Sequence, residues 1–317
     1  MFQKIFYSNN PLQYWIIILL GLFGMILNLL YVEQDASINC FIFSELFSKV
    51  IIGAKYGVVL SYFILFAATL ELMLINKEFN DTMGILLPSA VFTLFFNIIY
   101  PTLHLINGII ILPIFIFIAK LLINVYEQKR IFSELFYIGF ISGLSTMINI
   151  DFVIILLIVY VGLFLLRPFY YKEHIVLLIS SLLPYIMLDS VMFFFFDMHV
   201  IRLLNNNYSF DYSVFLSSLF PILVFIIFSV FIYFRILTNK VELKKIKSRK
   251  IFIWINSSIF LVWLWIFFSS NLLLIYLLAL LLAISFSVVL MSLPKQIHSK
   301  LLLIVLLFLN VFIFMVL

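Results

Sequence analysis

Long, almost uninterrupted apolar runs follow one another along the chain, and nothing else in the sequence constrains its fold as tightly. A bilayer's hydrocarbon core takes about 17 to 25 residues of helix. Eleven segments meet or approach that length, at 12–31, 56–75, 84–100, 107–126, 135–149, 151–166, 175–197, 213–235, 251–268, 272–293 and 301–317. In water each run would have to be hidden in a core. With 66% of 317 residues hydrophobic and a mean hydropathy of +1.28, too little polar surface remains to cover one; a soluble domain is only about half apolar. The pattern predicts an all-α polytopic transmembrane helix bundle of about eleven spans.

The polar residues between the runs set its direction. The fifth and sixth runs nearly fuse at "MINIDF", where Asn149 and Asp151 predict a tight turn in place of one long helix. A charge held at the bilayer centre would cost about 2.5 to 3.5 kcal/mol on insertion scales. If the N-terminus is cytoplasmic, sixteen of the nineteen Lys and Arg fall in inside segments, and only Lys49, Lys55 and Arg202 fall outside. Positive charge is retained on the cytoplasmic side. The expected location is therefore a bacterial inner membrane, with the N-terminus inside and the C-terminus outside. The stretch "VEQDASINC" (32–40), with Glu33 and Asp35, then faces away from the cytoplasm.

Residues 41–55, "FIFSELFSKVIIGAK", space Phe43, Leu46, Phe47 and Val50 along one helical face, with Glu45 and Lys49 four apart opposite. That is the pattern of an amphipathic helix lying in the outer interface. The link 236–250 is the one strongly charged connection. It divides a core over 1–235 from three plainer spans over 251–317, all within one integral domain, 1–317. Its lysines suit contact with acidic membrane lipids, or docking of a membrane protein partner. No aromatic–basic interleaving marks a nucleic-acid module. Cys40 is the only cysteine, which excludes an intramolecular disulfide and a CxxC redox site.

Polar groups inside the spans are functional candidates by default. Asp189 lies in the outer half of the seventh run, where it would face an aqueous path or a neighbouring helix; Asp197 falls at the interface. Glu71 and Lys120 sit at matched depths near the inner ends of the second and fourth runs, as an ion pair or with the lysine snorkelling. His104 and His199 are expected outside, His174 and His298 inside, so one shared metal is not expected. No Gly-rich phosphate loop points to an ATP-driven pump. No matched pair of broken helices points to a secondary transporter.

Residues 136–185 run "FYIGFISGLSTMINIDFVIILLIVYVGLFLLRPFYYKEHIVLLISSLLPY": a helix with Gly139 and Gly143, a polar turn, a long apolar helix ending in Arg167, a basic link and a span with a central proline. This order resembles the middle of the GT-C superfamily, polytopic glycosyltransferases that use polyprenyl-phosphate sugars. The cytoplasmic start, single span, acidic outer loop and interfacial helix are similar as well, so the likeness covers about the first two-thirds of the chain. The chain also resembles a Bacteroidota multi-pass membrane family whose members carry an "SNNP"-like start (8–11) and "RPF" (167–169). The glycine pair itself implies close helix packing.

The GT-C resemblance implies a polyprenyl-phosphate sugar donor and a catalytic acid in the first outer loop, which Glu33 or Asp35 would match. Transfer needs a base for the acceptor hydroxyl and cations for the leaving phosphate; Lys49, Lys55 and Arg202 are the outside cations. The family's second acid, which helps hold a divalent metal, has no counterpart in "YPTLHLIN", so no cofactor is assigned. Two other readings remain open. One is a non-catalytic membrane subunit or scaffold, the other a carrier of a lipidic or small solute.

Overall fold

The computed structural model describes residues 12–31, 36–38, 50–52, 54–76, 87–99, 106–126, 128, 131–196, 212–237, 246–269 and 274–292. Each of the first ten apolar runs forms a helix: α1 (Leu12–Tyr31), α2 (Ala54–Asn76), α3 (Leu87–Ile99), α4 (Ile106–Val125), α5 (Phe132–Ile148), α6 (Val153–Leu166), α7 (Tyr171–Phe196), α8 (Tyr212–Leu237), α9 (Ile246–Ser269) and α10 (Ile275–Ser292). The run 301–317 lies outside the described residues. Three stretches, Tyr56–Met73, Tyr171–Val191 and Ile246–Phe268, are long and apolar enough to cross a membrane, and the other helices carry shorter apolar segments. Among the described residues the bundle is all-helical apart from one short ribbon, β1 (Ala36–Ile38) paired antiparallel with β2 (Val50–Ile52).

That ribbon corrects the expected helix over 41–55 at Val50–Ile52. Val50, Ile51 and Ile52 are three consecutive β-branched residues, which favour a pleated backbone over a helix, and they pair with Ile38, Ser37 and Ala36. Residues 41–49 lie outside the described residues.

Side-chain bridges fix how the helices run. Tyr62 on α2 joins Asn28 on α1 and Asn97 on α3, while Ser89 of α3 donates to the Thr69 carbonyl of α2. In α2 and α3 the later residue of one meets the earlier residue of the other, so they are antiparallel. Trp254 and Trp265 of α9 reach Ile158 of α6 and Asp151 just before it, again in reversed order. Tyr233 and Ser229 of α8 meet Asn256 and Trp263 of α9 in the same sense. By contrast α5 and α7 run parallel. Gly139 faces Leu177 and Ser180, Gly143 faces Ser181 and Pro184, and Tyr185 donates to Thr146 at 2.6 Å. A Cβ on either glycine would collide with backbone of the partner helix, so the glycine pair provides the close packing its spacing predicts.

The centre belongs to α3 and α10, which pack on each other. Every residue of α3 is buried, and so is α10 from Ile275 to Leu290. A helix apolar all round has no face for water. Phe95 of α3 packs edge-on against Phe225 and Phe228 of α8, and Phe286 of α10 completes the group. Outer helices instead show apolar stripes: on α1, Trp15, Leu19, Phe23 and Ile26 are exposed, opposite buried Ile17, Gly21, Gly24 and Asn28. On α7 the exposed stripe includes Ile175, Leu178, Ile179, Leu182, Ile186 and Met187. Apolar surface on this scale is a membrane-facing surface.

Candidate functional site

The acid pair Glu33 and Asp35 lies outside the described residues, as do Lys49, Arg202, Asp197, His104, His199 and His298. What is described is the frame around that pair. The ribbon begins at Ala36, one residue after Asp35, and Ala36 stands opposite Ile52, three residues before Lys55 in the first turn of α2. β1 lies against α4. The acid-bearing and lysine-bearing segments are thus tied by short covalent spans to one end of one ribbon.

Asp189 is half-buried on α7 and has an interaction partner. Glu71 and Lys120 lie on packed helices α2 and α4, and no ion pair joins them. Glu71 is half-buried, and its Oε2 is sealed off without a hydrogen-bond partner, whereas Lys120 is exposed. The lysine's long stem lets its charge reach the bundle surface.

Three polar clusters found in the structure were not singled out as sites in the sequence. In the first, Asn28 Nδ2 donates to Tyr62 Oη at 2.8 Å and to the Gly24 carbonyl at 2.9 Å. Tyr62 Oη passes the chain on to Asn97 Oδ1 at 2.9 Å, and Asn97 Nδ2 donates to the Leu20 carbonyl at 3.3 Å. All three side chains are buried, so each hydrogen bond removes an unpaired group from apolar surroundings.

The second cluster is the turn between α5 and α6. Asn149 adopts an extended backbone, with φ −151° and ψ 132°, and its Oδ1 accepts from the Asp151 N–H at 2.9 Å. That capping contact stops α5 and starts a short 3₁₀ turn, Ile150–Phe152, as the polar pair predicts. The turn is not wet, however. Asp151 is 6% exposed, and its Oδ1 accepts from Trp265 Nε1 at 3.2 Å.

The third cluster sits where α4, α6, α7 and α9 meet. Arg167 precedes Pro168, which forces its backbone out of the helical region; its φ is −129° and ψ 159°. The side chain folds back, and Nη1 donates to the carbonyls of Val125 and Gln128, each at 2.7 Å. A guanidinium at a helix C-terminus satisfies orphan carbonyls and meets the negative dipole end. Nη2 lies 3.4 Å from Glu173 Oε1 in a pair that is almost entirely buried. His174 stacks between Tyr160 and Phe169, with ring centroids 5.8 and 4.7 Å away. Lys250 of α9 lies over the Tyr126 ring at 5.4 Å.

Among the described residues no three His, Cys, Asp or Glu side chains group as metal ligands. The chain matches no described protein family, no curated protein and no solved structure.

Proposed function

We propose that the chain is a multi-pass protein of the bacterial inner membrane, with about eleven spans in a GT-C-like arrangement. Its Arg167 end faces the cytoplasm, as does the N-terminus, and its C-terminus lies outside. On the outer face it transfers a sugar from a polyprenyl-phosphate donor. The acceptor hydroxyl gives its proton to Glu33 or Asp35 as its oxygen bonds to the anomeric carbon. The bond from that carbon to the phosphate oxygen breaks, and Lys49, Lys55 and Arg202 meet the charge left on the phosphate.

The observation that carries this reading is the ribbon, which ties the segment after the acid pair to the segment before Lys55. The cluster of Arg167, Lys172, Arg249 and Lys250 at one end of the bundle supports the orientation. The test is glycan transfer by membranes holding Glu33→Gln and Asp35→Asn. Transfer should vanish with insertion unchanged, and full activity in the double variant removes the proposal.

A second reading, a non-catalytic membrane subunit, is favoured by the way the Asn28–Tyr62–Asn97 chain spends its polar groups on one another. Recovery of a stable stoichiometric membrane partner, with both acids dispensable, would select it.

A further inference from the structure

The Arg167 cluster is built more heavily than a charge that merely orients the chain requires. Glu173 is the acid it encloses, and Arg167 consumes that charge. Lys172 directly precedes Glu173, and Lys250 lies over Tyr126, the residue after the Val125 whose carbonyl Arg167 holds; no described carboxylate lies within ion-pair reach of either lysine. Arg167 also keeps its Nε buried without an acceptor, an unmet donor in a position where unmet donors are costly. Lys172 lies over the Tyr171 ring at 5.9 Å and Lys250 over Tyr126 at 5.4 Å. Beside them Phe169, Tyr170 and Tyr171 form an exposed aromatic triplet, between 55% and 64% accessible.

Excess positive charge belongs with an anionic oxygen group, and exposed aromatic rings belong at the boundary of headgroup and acyl chain. We infer that the Arg167–Lys172 turn and the start of α9 form a binding site for the phosphodiester headgroup of an anionic phospholipid. Lys172 and Lys250 are its direct partners, and the aromatic triplet seats the glycerol and upper acyl region. Arg167 holds α4, α6 and α7 in register beneath it. The inference rests on the membrane reading and is independent of the sugar-transfer chemistry.

The full chain in nanodiscs, probed with phosphatidylglycerol against phosphatidylcholine, tests it. Native mass spectrometry should show at least a tenfold preference for phosphatidylglycerol. The double variant Lys172→Gln/Lys250→Gln should lose that preference while its melting in phosphatidylcholine discs stays unchanged, and Lys172→Arg/Lys250→Arg should restore it. Equal retention of the two lipids by the native chain overturns the inference, as does a preference that survives the glutamine pair. Millimolar inorganic phosphate that displaces the lipid completely would make the site one for free phosphate and overturn the lipid assignment. A Glu33→Gln/Asp35→Asn chain should keep the lipid preference, so failure of the enzyme proposal and failure of this one are separable.

Discussion

Replacing Arg167 by Met tests the structural role of the third cluster directly. The guanidinium makes two short charge-assisted hydrogen bonds to Val125 and Gln128 and an ion pair with Glu173, whose side chain is 9% exposed. Removing it strands a carboxylate with no other cation in reach. Breaking one partner of a buried pair costs about 3 to 5 kcal/mol. Losing each carbonyl contact costs less, since water can reach the exposed Gln128. A total of about 4 kcal/mol is expected, a drop on the order of 8 °C in melting temperature for a chain of this length.

The companion variant decides the mechanism. In Arg167→Met/Glu173→Met the stranded charge is gone, and two apolar side chains fill the same space. Apolar replacement of a whole buried pair is often neutral or mildly stabilising. The double variant should therefore recover about half of the lost stability or more. Melting in detergent micelles, followed through the buried Trp254, gives all four corners of the cycle. A single variant that costs under about 1 kcal/mol, or a double variant worse than the sum of its parts, refutes the reasoning.

Two further outcomes follow from the packing. Gly143→Val should destabilise by about 2 kcal/mol through overpacking, because its Cβ meets the Ser181 carbonyl and lies 3.2 Å from Pro184 Cγ. Gly21→Ala should cost far less, since its Cβ meets only the far end of the Phe66 ring and the helix gains propensity; equal losses in thermal melting would refute the distinction. Trp265→Phe removes the indole donor to Asp151, and should cost about 1 to 3 kcal/mol. Adding Asp151→Asn should recover part of that loss, and a double variant no better than Trp265→Phe alone would exclude the hydrogen bond as the cause.

How much of this was legible follows from what each feature depends on. Helix positions rest on run length alone, so ten runs could be read directly, and the break at Asn149 could be read from two adjacent polar residues. The ribbon was missed because Phe43, Leu46, Phe47 and Val50 keep a helical spacing up to the strand. A three-residue strand is too short to show its own period. The turn at Asp151 could be read locally, but its burial could not, because Trp265, which donates to it, lies 114 residues further on; no local pattern carries such a contact. Arg167 read as a topology charge for a similar reason, since its acceptors Val125 and Gln128 lie at and just beyond the end of another helix.

The largest gap concerns lateral order. α10 is buried at the centre while α7 presents a broad exposed face, yet both read as long apolar runs. In water the two positions would demand different sequences, because an exposed face must be polar. In lipid the surroundings are as apolar as a helix neighbour, so hydropathy fixes depth across the membrane and leaves neighbours in its plane undetermined. Small residues escape this degeneracy, because only they let two backbones touch. That is why Gly139 and Gly143 marked a close helix contact in the sequence, although only the structure shows that α7 is the helix that fills it.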